Sequence, residues 1–270
     1  MNWLSHLRSH SPRRRSTRRN PVRNRQRIYR SGISEHLEQR TLLTTFYVDN
    51  AADFFIETNN GAGGLDNGDI VTWRQGTAEE VTGLTFGTQA FESIPSAVGA
   101  AASGDVVQVA PGTFLHSGQM DINVPLTLIG AGQDQTIIQN SGSVTAKEQR
   151  TVQINAADVT FQDLTLGGWE TAPADANVGF GYLAWMNADD ATFDNVRFDA
   201  NDNRVAIYVG QFDGLTVTDS RFTGTYFRAA IRGGGEDMLI SRNSFEESHY
   251  WYSPIYFEYG GATSGEISYN

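Results

Sequence analysis

The sequence predicts an all-β chain, a right-handed, three-sided parallel β-helix with coils of about 24 residues and a short helix over its N-terminal end. Two observations carry this. Five segments align as repeats: VTFQDLTL (Val159–Leu166), ATFDNVRF (Ala191–Phe198), LTVTDSRF (Leu215–Phe222), MLISRNSF (Met238–Phe245) and GEISYN (Gly265–Asn270). In addition, apolar residues alternate within each segment, which is the period of strands and not of helices.

Each repeat has the same grammar. Two alternating apolar positions come first, such as Leu215 and Val217, followed by a polar pair such as Thr218–Asp219. Two more alternating positions follow, as at Val196 and Phe198. The in/out phase breaks at the polar pair, so a corner is expected there. A loop then leads to a third run, Val205–Ile207–Val209, and a Gly/Asp turn returns the chain to its start. Phe161, Phe193, Val217, Ile240 and Ile267 should form one inward ladder, with variation in coil length absorbed by the loops.

Upstream, FYVDNAADFFIET (Phe46–Thr58) opens the ordered body, and TNNGAGGLDNGD (Thr58–Asp69) reads as a loop. FGTQAFESIPSAVGAAASGDVVQVAPGTF (Phe86–Phe114) contains the one credible helix, placed at about Phe91–Ala102, feeding a strand at Val106–Ala110. Such a helix would cover the open end of the coil stack, where unpaired strand edges invite aggregation. VPLTLIGAGQDQTIIQ (Val124–Gln139) is the next coil. Its glycines lack dinucleotide-loop spacing and precede a strand, so they read as a turn.

The domain boundary is expected near residue 45. Residues 1–45 form an Arg-, Ser- and Pro-rich leader without an apolar core, expected to be disordered, and residues 46–270 form the β-helix. Charge divides the same way. Of 20 basic and 31 acidic residues, 11 arginines and two glutamates lie in 1–40, leaving 9 and 29 in the rest. An acidic body disfavours nucleic acid. No cysteine is present, which excludes disulfides and thiolate metal sites. No apolar run is long enough for a membrane helix. His116 and His249, the two histidines of the body, lack metal-ligand spacing.

The order of helix, GDVVQVAPGTF and LTLIGAG resembles the opening of right-handed parallel β-helix proteins of the pectin-lyase-like superfamily. The resemblance covers roughly residues 86–270 and implies the fold. The superfamily spans lyases, hydrolases, esterases, epimerases and non-catalytic surface repeats, so it leaves the chemistry open. HLEQRTLLT (His36–Thr44) resembles a short leader motif of large bacterial surface proteins, which implies an extracellular or cell-surface location. The sequence stops midway through a coil, and an uncapped last coil would allow end-to-end self-association.

Two clusters qualify as sites. Asp163, Asn195 and Asp219 share the corner column. It reads as a solvated corner with side-chain turn bonds, or as a Ca²⁺ site relieving carboxylate repulsion. The second lies on the third strand. If Ile207, Ile231 and Ile255 face inward, then Arg204, Tyr208, Arg228, Arg232, Tyr252 and Tyr256 face outward with Glu258, and preceding loops add Asp202, Glu246, Glu247, His249 and Trp251. Stacked Arg204 and Arg228 would repel unless neutralised. An ion-pair ladder, an acidic saccharide or a catalytic site would each do so. By the resemblance, a polysaccharide lyase would use Arg228 or Arg232 as base, with Glu246, Glu247 or Glu258 near Ca²⁺. A hydrolase would need two of these carboxylates suitably spaced. The function expected is an exported β-helix module with a carbohydrate-binding side face, with an enzyme acting on acidic polysaccharide as the alternative.

Overall fold

A left-handed backbone corner recurs once per coil. Asp163, Asn195, Asp219 and Arg242 hold φ between 51° and 60° at equivalent positions. Asp and Asn adopt this conformation more readily than most residues, and the phase break read from the sequence falls on it. The computed structural model describes residues 42–61, 63–143, 149–171, 181–200, 205–226, 228–246, 253–258 and 264–270. They belong to one unit, Leu42–Asn270. The unit formed by residues 1–41, with most of the leader motif, lies outside the described residues.

The strands form three parallel stacks. The first, before the corner, contains Thr45–Val48, Asp105–Val109, Leu126–Ile129, residues 160–162 and 192–194, Thr216–Thr218, Met238–Ser241 and Gly265–Ser268. The second, after the corner, contains Gly112–His116, Thr136–Ser143, residues 164–167 and 196–199, Arg221–Thr223 and Ser244–Phe245. Strands Thr160–Thr171 and Thr192–Asp199 run through the corner and join these two stacks. The third contains Met120–Ile122, Arg150–Ile154, Tyr182–Met186, Val205–Gly210, Ala229–Gly233 and Ile255–Phe257. The fold is therefore a parallel β-helix.

Register agrees with the aligned column: Phe161 pairs with Phe193, Phe193 with Val217, Val217 with Ile240 and Ile240 with Ile267. Inside, like residues stack on like. Phe161–Phe193, Phe198–Phe222 and Phe222–Phe245 lie nearly parallel at 5.3, 4.8 and 4.7 Å between centroids. Phe193 and Phe198 meet edge to face. Where the corner interrupts strand pairing, buried polar side chains take over. Asn243 Nδ2 donates to the Val217 carbonyl and its Oδ1 accepts from Ser220 N, both at 3.0 Å. Asn270 Nδ2 donates to the Ile240 carbonyl one coil further on. These bonds satisfy backbone groups that would otherwise be buried unpaired.

The helix spans Ile94–Ala100, shorter than the sequence reading of Phe91–Ala102. Its start is set by Ser93, whose Oγ accepts from Ser96 N, and by Pro95 in the first turn. Phe91 is already committed to parallel pairing with Val48. Ile94, Ala97 and Val98 are buried against the first coils, as a covering helix requires. The sequence reading did not foresee an antiparallel sheet of Phe55–Thr58, Ile70–Trp73 and Val81–Thr85. Trp73 joins it to the coils: the indole is buried and Nε1 donates to the Val48 carbonyl at 3.0 Å.

Gly130, in the LIGAGQDQ segment, is a turn residue, as read. A Cβ there would lie 2.4 Å from the Asp163 carbonyl oxygen of the next coil, so no other residue fits without displacing backbone.

Candidate functional site

The corner column resolves its charge internally. Asn195 Nδ2 donates to Asp163 Oδ1, and Gln133 Nε2 donates to Asn195 Oδ1 at 2.8 Å. Arg242 grips Asp219 with two bonds of 2.8 and 2.6 Å. The Arg242 hydrogen bonds hold the Asp219 carboxyl below its usual range. With the Asp163 oxygen on an amide donor and both Asp219 oxygens on a guanidinium, this donor set does not fit Ca²⁺, which needs oxygens aimed at one point. The column is an exposed corner tied by turn bonds and one ion pair.

The third stack builds a different surface. Register runs a single column through Asp121, Gln153, Trp185, Tyr208, Arg232 and Tyr256. The adjacent Ala184, Ile207 and Ile231 belong to the core, so this column alternates away from it. Tyr208, Arg232 and Tyr256 stand where the sequence placed them. Trp185 was missed, although it lies 23 residues before Tyr208, and Arg232 and Tyr256 follow at steps of 24.

The column begins with aromatics. Trp185 and Tyr208 are half-buried with centroids 4.2 Å apart, and Tyr182 contacts both, at 4.8 and 5.4 Å. The Arg150 guanidinium lies 3.9 Å from the Trp185 ring centre, close enough for cation–π attraction. Arg150 also donates to Gln153 of the column. On the other side, Arg232 approaches the Tyr208 ring at 5.8 Å.

Arg232 is the best-fixed charge of the face. Its Nε and Nη2 both donate to Glu258 Oε2, at 2.9 and 2.6 Å. The two side chains are 10% and 12% exposed. Glu258 Oε1 is buried without a hydrogen-bond partner. Burial alone would lower the Arg232 pKa. The Glu258 bonds and charge, aided by Tyr182 and Tyr208, outweigh that and raise it above the usual arginine value. Such a cation is suited to hold an anion and unsuited to take a proton.

The other expected residues divide. Arg228 is half-buried at the entry to Ala229–Gly233 and makes contacts of its own. Glu246 follows Ser244–Phe245 in the second stack, where it accepts from Arg221 at 3.0 Å and Ser244 at 2.8 Å. It therefore belongs to a different stack from Arg232 and Glu258. Arg204, Asp202, Glu247, His249, Trp251 and Tyr252 lie outside the described residues. The stacked arginine pair found among the described residues is Arg197 and Arg221, neighbours in register, each facing a carboxylate within 3.0 Å. Neutralisation by nearby acids, expected for Arg204 and Arg228, is realised in that pair.

Parallel coils stacked on a repeated corner, with one outward face of aromatic and charged residues, define a protein of the pectin-lyase-like class. The chain belongs to the family described as rhamnogalacturonase A/epimerase, pectate lyase-like, whose pattern it matches over residues 79–253. Similar solved structures include pectin methylesterase PemA from Erwinia chrysanthemi, 17% identical with a TM-score of 0.46 over 58% of this chain and 51% of that one. A pectin methylesterase in complex with hexasaccharide VII is 15% identical, with a TM-score of 0.48 over 65% and 56%. Pectin methylesterase from carrot is 14% identical, with a TM-score of 0.39 over 60% and 67%. The chain thus spans little more than half the length of the first two. No curated protein matches the sequence.

Proposed function

We propose that this chain is a carbohydrate-acting β-helix protein whose third-stack face holds an acidic polysaccharide, in an exported or cell-surface setting. The single observation carrying this reading is the Trp185–Tyr208 pair flanked by the guanidinium groups of Arg150 and Arg232. Half-buried aromatic rings offer flat faces to the apolar sides of sugar rings, and guanidinium forks match carboxylates. Successive positions in the column are about 4.8 Å apart, close to the advance of one sugar unit along a chain. Membership of a pectate lyase-like family supports the same substrate class. The raised pKa of Arg232 favours a binding role for it over that of a lyase base.

The test is calorimetric titration of the full chain with trigalacturonate, beside Trp185→Ala and Tyr208→Ala. Binding that weakens at least tenfold in both variants is expected. Unchanged affinity in folded variants would remove this face from the reading. Release of unsaturated product, followed by absorbance and abolished in Arg228→Ala, would instead favour the lyase alternative. Fractionation of the producing cells tests export, which fails if the chain stays in the cytoplasm.

A further inference from the structure

The second stack carries a cavity that the third-stack reading does not use. It has a volume of about 520 Å³, within the range of small-ligand sites. Ile137, Thr165 and Arg197 form one column of its lining, in register across three coils. Gly167 and Asp199 form a second, also in register, and Gln139 closes one side.

Gly167 sits on the outward side of its strand, between the core residue Leu166 and the cavity. Its backbone does not demand glycine: it is absent from the positive-φ positions, and an added Cβ would meet Ile138 O and Gln139 side-chain atoms at 3.4 and 3.5 Å, ordinary contact distances. What its missing side chain provides is space over a surface otherwise crowded with side chains.

The polar groups around that space are held in place. Arg197 donates from Nη1 to Asp134 at 2.9 Å, from Nη2 to Asp199 at 3.0 Å and from Nε to Thr223 at 3.2 Å. These bonds use three of the five N–H donors of a guanidinium. The remaining directions, with the carboxylate oxygens of Asp199 and Asp134, set fixed donors beside fixed acceptors. One cation against two carboxylates leaves this group net negative, and the neighbouring Arg221 is matched by Glu246.

We propose that this cavity is a second saccharide site, selective for an uncharged sugar unit. A hydroxyl both donates and accepts, and so satisfies an Arg–Asp pair. A uronate carboxylate only accepts, and would face Asp199 and Asp134. The site is separate from the Trp185–Tyr208 face and does not depend on that face binding anything.

The experiment titrates the full chain with a neutral probe, β-1,4-linked galactotetraose, and an acidic one, trigalacturonate, with saturation followed by calorimetry. Galactotetraose is expected to bind with a Kd of about 1 mM or tighter. Gly167→Leu should weaken it at least tenfold, while Trp185→Ala should leave it unchanged. If Gly167→Leu does not fold, Gly167→Ser places a smaller obstruction in the same space, and a weakening of several-fold is expected. Three results overturn the proposal: no binding of galactotetraose, binding unaffected by folded Gly167 variants, or trigalacturonate bound more tightly than galactotetraose in a manner that Gly167→Leu abolishes. Each differs from failure of the third-stack reading, which is decided by the Trp185 and Tyr208 variants with the acidic probe.

Discussion

Replacing Arg232 with Met, and leaving Glu258 in place, isolates the best-buried charge pair of the third stack. The guanidinium makes two bonds to one carboxylate oxygen, and both side chains are about nine-tenths buried. The other oxygen, Oε1, already lacks a partner. Glu258 would then be a buried carboxylate with no cation, a change that typically costs 3–5 kcal/mol. The remaining exposure admits some water, so about 3 kcal/mol is the appropriate figure here. Stability in stacked repeats is roughly a sum over coils and their interfaces, so the loss should concentrate where Glu258 follows the strand Ile255–Phe257. Amide hydrogen exchange resolves this: protection in Ile255–Phe257 should fall about a hundredfold, while Phe161 and Phe193, several coils away, keep theirs. Arg232→Met combined with Glu258→Leu should recover much of the loss, because two apolar groups leave no charge unpaired. An Arg232→Met variant whose exchange at Ile255–Phe257 changes less than about fivefold, roughly 1 kcal/mol, would refute the reasoning and make the pair a solvent-screened surface contact.

Other consequences follow from the core and from the titrating groups. Phe198→Ala removes a fully buried ring stacked between coils and should destabilise by about 3–5 kcal/mol in urea titration, whereas Phe245→Ala, half-buried, should cost distinctly less. Burial pushes the Asp49 carboxyl up to about 6 from 3.8. The folded chain therefore binds more protons than the unfolded one between these values, and this group's contribution to stability falls as pH rises from about 4 to about 6. Asp49→Asn should remove that decline from the urea midpoints. Burial lowers the His116 pKa below 6.5, so this group destabilises the fold as pH falls below 6.5; His116→Leu should flatten that acid limb. Arg242→Ala breaks an exposed corner pair and should leave the urea midpoint unchanged within error.

Much of the coil geometry was legible because inward ladders repeat the same residue types. Phe161, Phe193, Val217, Ile240 and Ile267 could be aligned by eye, and their register follows that alignment. The antiparallel sheet was not legible. Its strands are short, occur once, and are separated by polar Gly-rich loops, so nothing repeats; the buried Trp73 that anchors it looks like any tryptophan in sequence. Trp185 was hidden for another reason. Its coil carries Ala184 where the following ones carry Ile207 and Ile231, so the inward pattern that locates the outward column is weakest there. The separation of Glu246 from Glu258 was also out of reach, since only the strand pairing assigns one to the second stack and the other to the third. Arg197 drew no notice because its partner Asp134 is 63 residues away in the chain.

The parallel pairing of coil on coil has a mechanical consequence. Hydrogen bonds between successive coils point along the axis of the helix, in the direction in which the Trp185–Tyr208–Arg232 column runs. A polymer lying along that column and pulled taut would tension the bonds lengthwise, opening one interface between coils at a time. A pull across the axis would instead set many bonds in shear together. The protein should thus resist sideways tugging far better than axial traction, and under axial traction it should part first at the coil with the fewest neighbours, the one carrying Gly265–Ser268.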